Sequence, residues 1–126
     1  MGLPAASLVF AVLLTLVLSI PDLGWSHAYL VKSAPARRAV LTRPPPEVQL
    51  WFNERLEPAF ARLTVVDGDD RKVDAGNARV GPDDLKRLSV GVSPLAPGTY
   101  TVRYRVLSVD GHVVESEFSF TIREPK

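Results

Sequence analysis

The sequence has no cysteine, so no disulfide can brace the fold and no thiolate can act as nucleophile or metal ligand. Its single methionine is Met1, so no thioether is available further along the chain. A soft, sulfur-based metal site is thereby excluded. Charge of one sign is also missing. With 15 Lys and Arg against 14 Asp and Glu, the net charge of +1 gives no footprint for nucleic acid or an anionic membrane surface. No segment keeps a helical period, and eleven prolines work against long helices. There is no glycine-rich phosphate loop and no nucleophile elbow. A serine triad would have to use one of only two histidines. No internal repeat or low-complexity tract is present.

What the chain does have begins with a leader. Met1 to Ile20 carries no charged side chain, and Leu8 to Ile20 is densely apolar. Pro21 and Asp22 end that run, and Gly24-Trp25-Ser26 puts small residues at −3 and −1 before His27. This is the layout of a secretory signal peptide over residues 1–26, although it lacks a basic n-region. The competing reading is an uncleaved membrane anchor, since the uncharged stretch is about long enough to span a bilayer. Cleavage is favoured by the short apolar core. The mature chain is then His27 to Lys126, one small domain of 100 residues in a periplasmic or secreted setting. Loss of Asp22 with the leader raises the net charge by one.

Beyond the leader, alternation and turn residues predict an all-β domain. Short strands are expected at His27–Lys32, Arg37–Thr42, Glu47–Asn53, Arg62–Val66 and Leu85–Val92, with a weaker one at Asn77–Val80. Arg71–Ala75 is expected to return as a hairpin from the Asp67-Gly68 turn. Pro44-Pro45-Pro46 cannot join a ladder. Glu54–Ala61, broken by Pro58, is a loop or single helical turn. Thr99–Val109 is the longest strand, with Tyr100, Val102, Tyr104 and Val106 on one face. His112–Ile122 closes the domain with Phe118, Phe120 and Ile122 inward. About seven strands at this spacing predict a Greek-key β-barrel or sandwich of immunoglobulin-like type. Trp51, Tyr104 and Phe118 read as core or core-edge rather than a ligand platform. The acidic Asp67-Gly68-Asp69-Asp70 run reads as a solvated hairpin tip, since it lacks a full calcium-loop pattern.

The two histidines carry the functional reading. Cleavage would make His27 the amino terminus, offering a metal its α-amine and ring Nδ1 in one chelate. Reference pKa values of about 8 for an α-amine and about 6.5 for imidazole make such binding weaken as pH falls. Asp110 and His112 stand two apart and can converge from a strand or from a turn. Taken alone, Asp110-Gly111 is an ordinary hairpin turn with an incidental histidine. The coincidence with His27 reverses that preference. Three nitrogens and a carboxylate oxygen suit Cu(II) in a tetragonal site, with zinc as the tetrahedral alternative. Glu54 and Glu57 read as solvated loop charges rather than an acid/base pair.

The chain resembles the CopC family of secreted or periplasmic copper-binding proteins. The resemblance rests on His27-Ala28-x-Leu30-x-x-Ser33-x-Pro35-Ala36, Val48-x-Leu50-x-Phe52-x-Glu54 and Pro97-Gly98-x-Tyr100-x-Val102. It continues through Ser108-Val109-Asp110-Gly111-His112 and Phe118-x-Phe120, so it covers nearly all of residues 27–126. It implies a Greek-key β-domain holding Cu(II) through the amine and ring of His27, with Asp110 and His112. Glu54 matches an acidic position near the copper in some members, where it would support the ligands from behind. A CopD-type membrane copper transporter is the implied partner. This sequence departs from the family at Tyr104, where many members have Trp, and at Val113 and Ser116, which replace a common Pro and Gly. Tyr29 stands where some members carry a further histidine. The methionine-rich Cu(I) site of certain members is missing, which favours a single Cu(II) site.

Three functions follow from these residues. The leading one is a monomeric, non-enzymatic Cu(II) carrier or scavenger. The second is a copper monooxygenase with an N-terminal histidine brace, disfavoured by the small domain and by an anionic ligand at Asp110. The third is an immunoglobulin-like interaction module with no metal.

Overall fold

The structure, a computed structural model, describes residues 28–125. The expected leader, His27 and Lys126 lie outside the described residues. Eight strands form: β1 Leu30–Ala34, β2 Val40–Leu41, β3 Glu47–Phe52, β4 Arg62–Val66, β5 Arg79–Val80, β6 Arg87–Gly91, β7 Gly98–Leu107 and β8 Val113–Ile122. One sheet runs β1-β3-β6-β5 and the other β2-β8-β7-β4. Every pairing is antiparallel except β2 with β8, where Val40 lies beside Thr121 and Leu41 beside Ile122. Pro58–Phe60 makes a single 3-10 turn.

Alternation builds the core. Val48, Leu50 and Phe52 of β3 and Leu88 and Val90 of β6 face Val102, Tyr104 and Val106 of β7, and Phe118, Phe120 and Ile122 of β8, and all are buried. Burying each such side chain contributes roughly 1.5–3 kcal/mol relative to leaving it in water. Aromatic packing adds direction. Phe52 meets Tyr104 edge-on at 5.5 Å, and Tyr100 stacks on Phe120 at 5.5 Å. Trp51 lies on the outer face of its sheet, with the Lys32 ammonium 4.7 Å from its ring centroid.

Three local expectations shift. The first strand begins at Leu30, because Ala28 and Tyr29 dock on a loop rather than a ladder. Arg71–Ala75 does return from the Asp67-Gly68 turn, with Asp67 N–H on Arg71 O and Val73 N–H on Val65 O, both at 2.9 Å, but it forms the isolated bridges Lys72–Val66 and Asp74–Val92 rather than a continuous strand. The cause is Asp74, whose side chain is 1% exposed and accepts the N–H groups of Val65 and Gly76 at 2.9 and 3.0 Å. It carries the chain from one sheet edge to the other. The strand expected over Thr99–Val109 ends at Leu107, after which Ser108 makes an isolated bridge to Leu56. The Asp67–Asp70 tip is as expected. Asp67 Oδ1 accepts the N–H groups of Asp69 and Arg71, both at 2.9 Å, and Asp70 pairs with Arg103 at 3.0 Å.

Candidate metal centre

At one end of the sandwich four segments are tied together by backbone. The β3–β4 loop lies at the centre of these ties. Asn53 donates its N–H to Tyr29 O at 3.2 Å, and its side-chain Oδ1 accepts the Tyr29 N–H at 2.6 Å. Leu56, 1% exposed, plugs the loop into the core, and its N–H reaches Leu85 O at 2.9 Å. Farther along, Glu57 N–H donates to Leu107 O at 2.8 Å, while Arg55 O accepts Val109 N–H at 3.0 Å. The loop therefore grips the chain before β1 on one side and the β7–β8 hairpin on the other.

The hairpin tip carries Asp110 and His112. Ser108 N–H closes it onto His112 O at 3.0 Å, and Gly111 N–H reaches Ser108 O at 2.9 Å. Gly111 adopts φ +93°, which an L side chain rarely takes. This conformation turns the backbone so that Asp110 and His112 fall on the same side. Nδ1 of His112 lies 3.1 Å from Oδ1 of Asp110, and the His112 N–H points to the same oxygen at 3.3 Å. The ring nitrogen and the carboxylate oxygen therefore face each other across the turn. A separation near 3 Å is also about that of two adjacent ligands on one square-planar metal with bonds near 2 Å. Each side chain is about a third exposed, with Nδ1 of His112 itself turned away from solvent.

Ser108 supports this arrangement from below. It is fully buried, and its hydroxyl donates to Asp110 Oδ1. That hydrogen bond, with smaller help from His112, holds the Asp110 carboxyl below its ordinary range against a partial loss of hydration. The carboxylate is thus kept charged and oriented.

Of the predicted site residues, the structure brings Asp110 and His112 together and places Glu54 on the gripping loop. Among the described residues no ion pair joins Glu54 to either of them. No group of three or more His, Asp or Glu capable of holding a metal occurs among the described residues. Asp110 and His112 supply two donors, and His27 lies outside the described residues, one position before buried Ala28. Ser108 and Asn53 were not among the predicted site residues. Each is an ordinary turn or strand-end residue by sequence, and only the fold shows what it holds.

Residues 30–123 match the CopC domain. The chain belongs to the CopC family. It is similar to Protein YobA of Escherichia coli (strain K12), with 34% identity over 125 residues that cover 98% of this chain and 100% of that one. Copper resistance protein C of Xanthomonas campestris pv. juglandis is 31% identical over 107 residues, 79% of this chain and 83% of that one. Among solved structures, CopC from Methylosinus trichosporium OB3b superposes with a TM-score of 0.74 at 32% identity, covering 79% of this chain and 97% of that one. PcoC of Escherichia coli, described as a methionine-rich copper resistance protein, gives 0.68 at 27% identity over 78% of this chain and 100% of that one. This CopC-family chain differs from the latter description in having Met1 as its only methionine.

Proposed function

We propose that this chain is an extracytoplasmic Cu(II) carrier or scavenger acting in copper resistance or homeostasis. In this reading it is cut between Ser26 and His27. The new amine and Nδ1 of His27, the Asp110 carboxylate and the His112 ring hold one Cu(II). The observation that carries the reading is the 3.1 Å approach of His112 Nδ1 to Asp110 Oδ1 at the end of the sandwich where Ala28 begins the described chain.

Chemistry supports copper in its oxidised form. Nitrogen and carboxylate donors suit Cu(II), which also stands highest in the divalent affinity order. With no cysteine and no methionine after Met1, no sulfur set is on hand to favour Cu(I). A charged carboxylate held beside the metal stabilises the higher oxidation state, which favours holding over redox cycling. The names of relatives such as the copper resistance proteins and the Copper transport protein CutJ of Bacillus subtilis point the same way. Among the described residues no helix is long and apolar enough to cross a membrane. A CopD-type membrane transporter is the expected recipient, and the domain acts as a monomer. Glu54, on the loop beside the hairpin, acts on the ligands rather than on the metal.

The test is titration of the cleaved chain with Cu(II), followed by EPR. A type 2 signal with nitrogen couplings is expected, and His112→Ala should lose the tight-binding form. Unchanged tight binding in that variant would remove His112 from the site.

A further inference from the structure

Tyr29 and Asn53 are 24 residues apart, yet they are joined twice. Tyr29 N–H donates to Asn53 Oδ1 at 2.6 Å, and Asn53 N–H donates to Tyr29 O at 3.2 Å. Both polar groups of the Tyr29 backbone are thus taken by one residue. The main-chain bond continues the register of Leu30 with Phe52, and the ladder slips by a residue only beyond it, between Leu30 and Lys32. At the outer end of this pairing the Asn53 side-chain oxygen, rather than its main-chain carbonyl, takes the Tyr29 N–H. Directly ahead of Tyr29, Ala28 is 1% exposed. The same loop, two residues on, accepts Val109 N–H through Arg55 O, and Leu56 bridges Ser108.

We infer that Asn53 is a positioning residue for the copper chelate, fixing the direction in which the chain leaves Tyr29 towards His27. The inference rests on the reading given under the proposed function. A terminal residue binds a metal more tightly when the chain behind it is already held, since a frayed terminus loses conformational freedom on binding. Here the hold comes from a loop that also grips the hairpin bearing Asp110 and His112. One loop therefore holds both Tyr29 and the hairpin. Asn53 does this through a neutral amide, so it adds no charge to the site and competes for no metal. Partners that orient ligands from outside typically change metal affinity 10–100-fold when removed.

The experiment uses the chain cleaved before His27, with competitive Cu(II) titration and EPR on five forms. These are the wild type, Asn53→Ala, Asn53→Asp, a form with one extra glycine ahead of His27, and that glycine form carrying Asn53→Ala. Asn53→Ala should bind Cu(II) at least about tenfold more weakly. Asn53→Asp keeps the acceptor for Tyr29 N–H and should recover most of the affinity. The added glycine buries the His27 amine in a peptide bond and should also weaken binding. Combined with Asn53→Ala, it should cost less than it does in the wild type, because the amine is already poorly placed. A purely structural Asn53 would lower the melting temperature but leave that coupling at zero. If the glycine form weakens binding while Asn53→Ala binds as the wild type, the inference alone is overturned. If the glycine has no effect, the His27 reading fails, and the role of Asn53 falls with it.

Discussion

The hydroxyl of buried Ser108 donates to Oδ1 of Asp110, two residues along the same hairpin. A hydroxyl shut away from water thus finds its partner in the carboxylate beside the candidate site. The pairing satisfies Ser108 and keeps Asp110 ionised.

Ser108→Ala should therefore raise the Asp110 pKa towards its ordinary 3.8. The direction of the pH effect follows from the depressed folded-state value. Asp110 contributes stability above its unfolded pKa, and that contribution is lost as pH falls through the lower folded pKa. In the variant the contribution shrinks, so the acid limb of unfolding moves to higher pH. Carboxyl NMR titration of both proteins, with acid unfolding followed by circular dichroism, checks this. An unshifted Asp110 titration would show that the hydroxyl does not hold the charge.

Gly111→Ala separates conformation from packing. A methyl group there would meet nothing within 4 Å, so any loss comes from the +93° φ alone. The expected cost is about 1–3 kcal/mol. Urea denaturation should show the midpoint falling with an unchanged slope. Cu(II) binding should weaken as well, because the turn sets Asp110 against His112.

Phe120→Ala tests the opposite case, a large loss remote from the site. Phe120 is fully buried and stacks on Tyr100. Truncation should cost about 3–5 kcal/mol, a large share of the roughly 5–15 kcal/mol that holds a domain folded. At a temperature where the variant remains folded, its Cu(II) affinity should match the wild type. An equal fall in affinity would mean that the site and the core are not separable.

Copper itself should stabilise the fold. At a free concentration one hundred times the dissociation constant, a ligand that binds only the native state adds about 2.7 kcal/mol. For a domain of this size each kcal/mol is worth roughly 4–8 °C in melting temperature. Differential scanning calorimetry with and without Cu(II) measures this, and identical melts with copper in excess would favour a metal-free interaction module.

Much of the fold was legible because it rests on a period of two. Val48, Leu50 and Phe52, and likewise Tyr100, Val102, Tyr104 and Val106, were assigned to one face by alternation, and all are buried. What alternation could not give was pairing between distant segments. Nothing local marks β2 as the parallel neighbour of β8. Nor does Asp74 look, by sequence, like a carboxylate whose side chain is shut from water and caps the N–H groups of Val65 and Gly76. Asp110 and His112 stood out because histidine is scarce. Asn53 and Ser108 did not, because their work depends on partners 24 residues away in one case and on burial in the other.

The loop between β3 and β4 grips the hairpin with main-chain atoms, through Arg55 O and the N–H of Glu57. Neither bond requires a particular side chain. The side chains of Arg55 and Glu57 can therefore be exchanged without unfastening the two donors above them. Charge around Asp110 and His112 becomes an adjustable property, separate from the scaffold that locates them. A designer wanting tighter or looser copper retention could vary these positions as a library and leave the hairpin untouched.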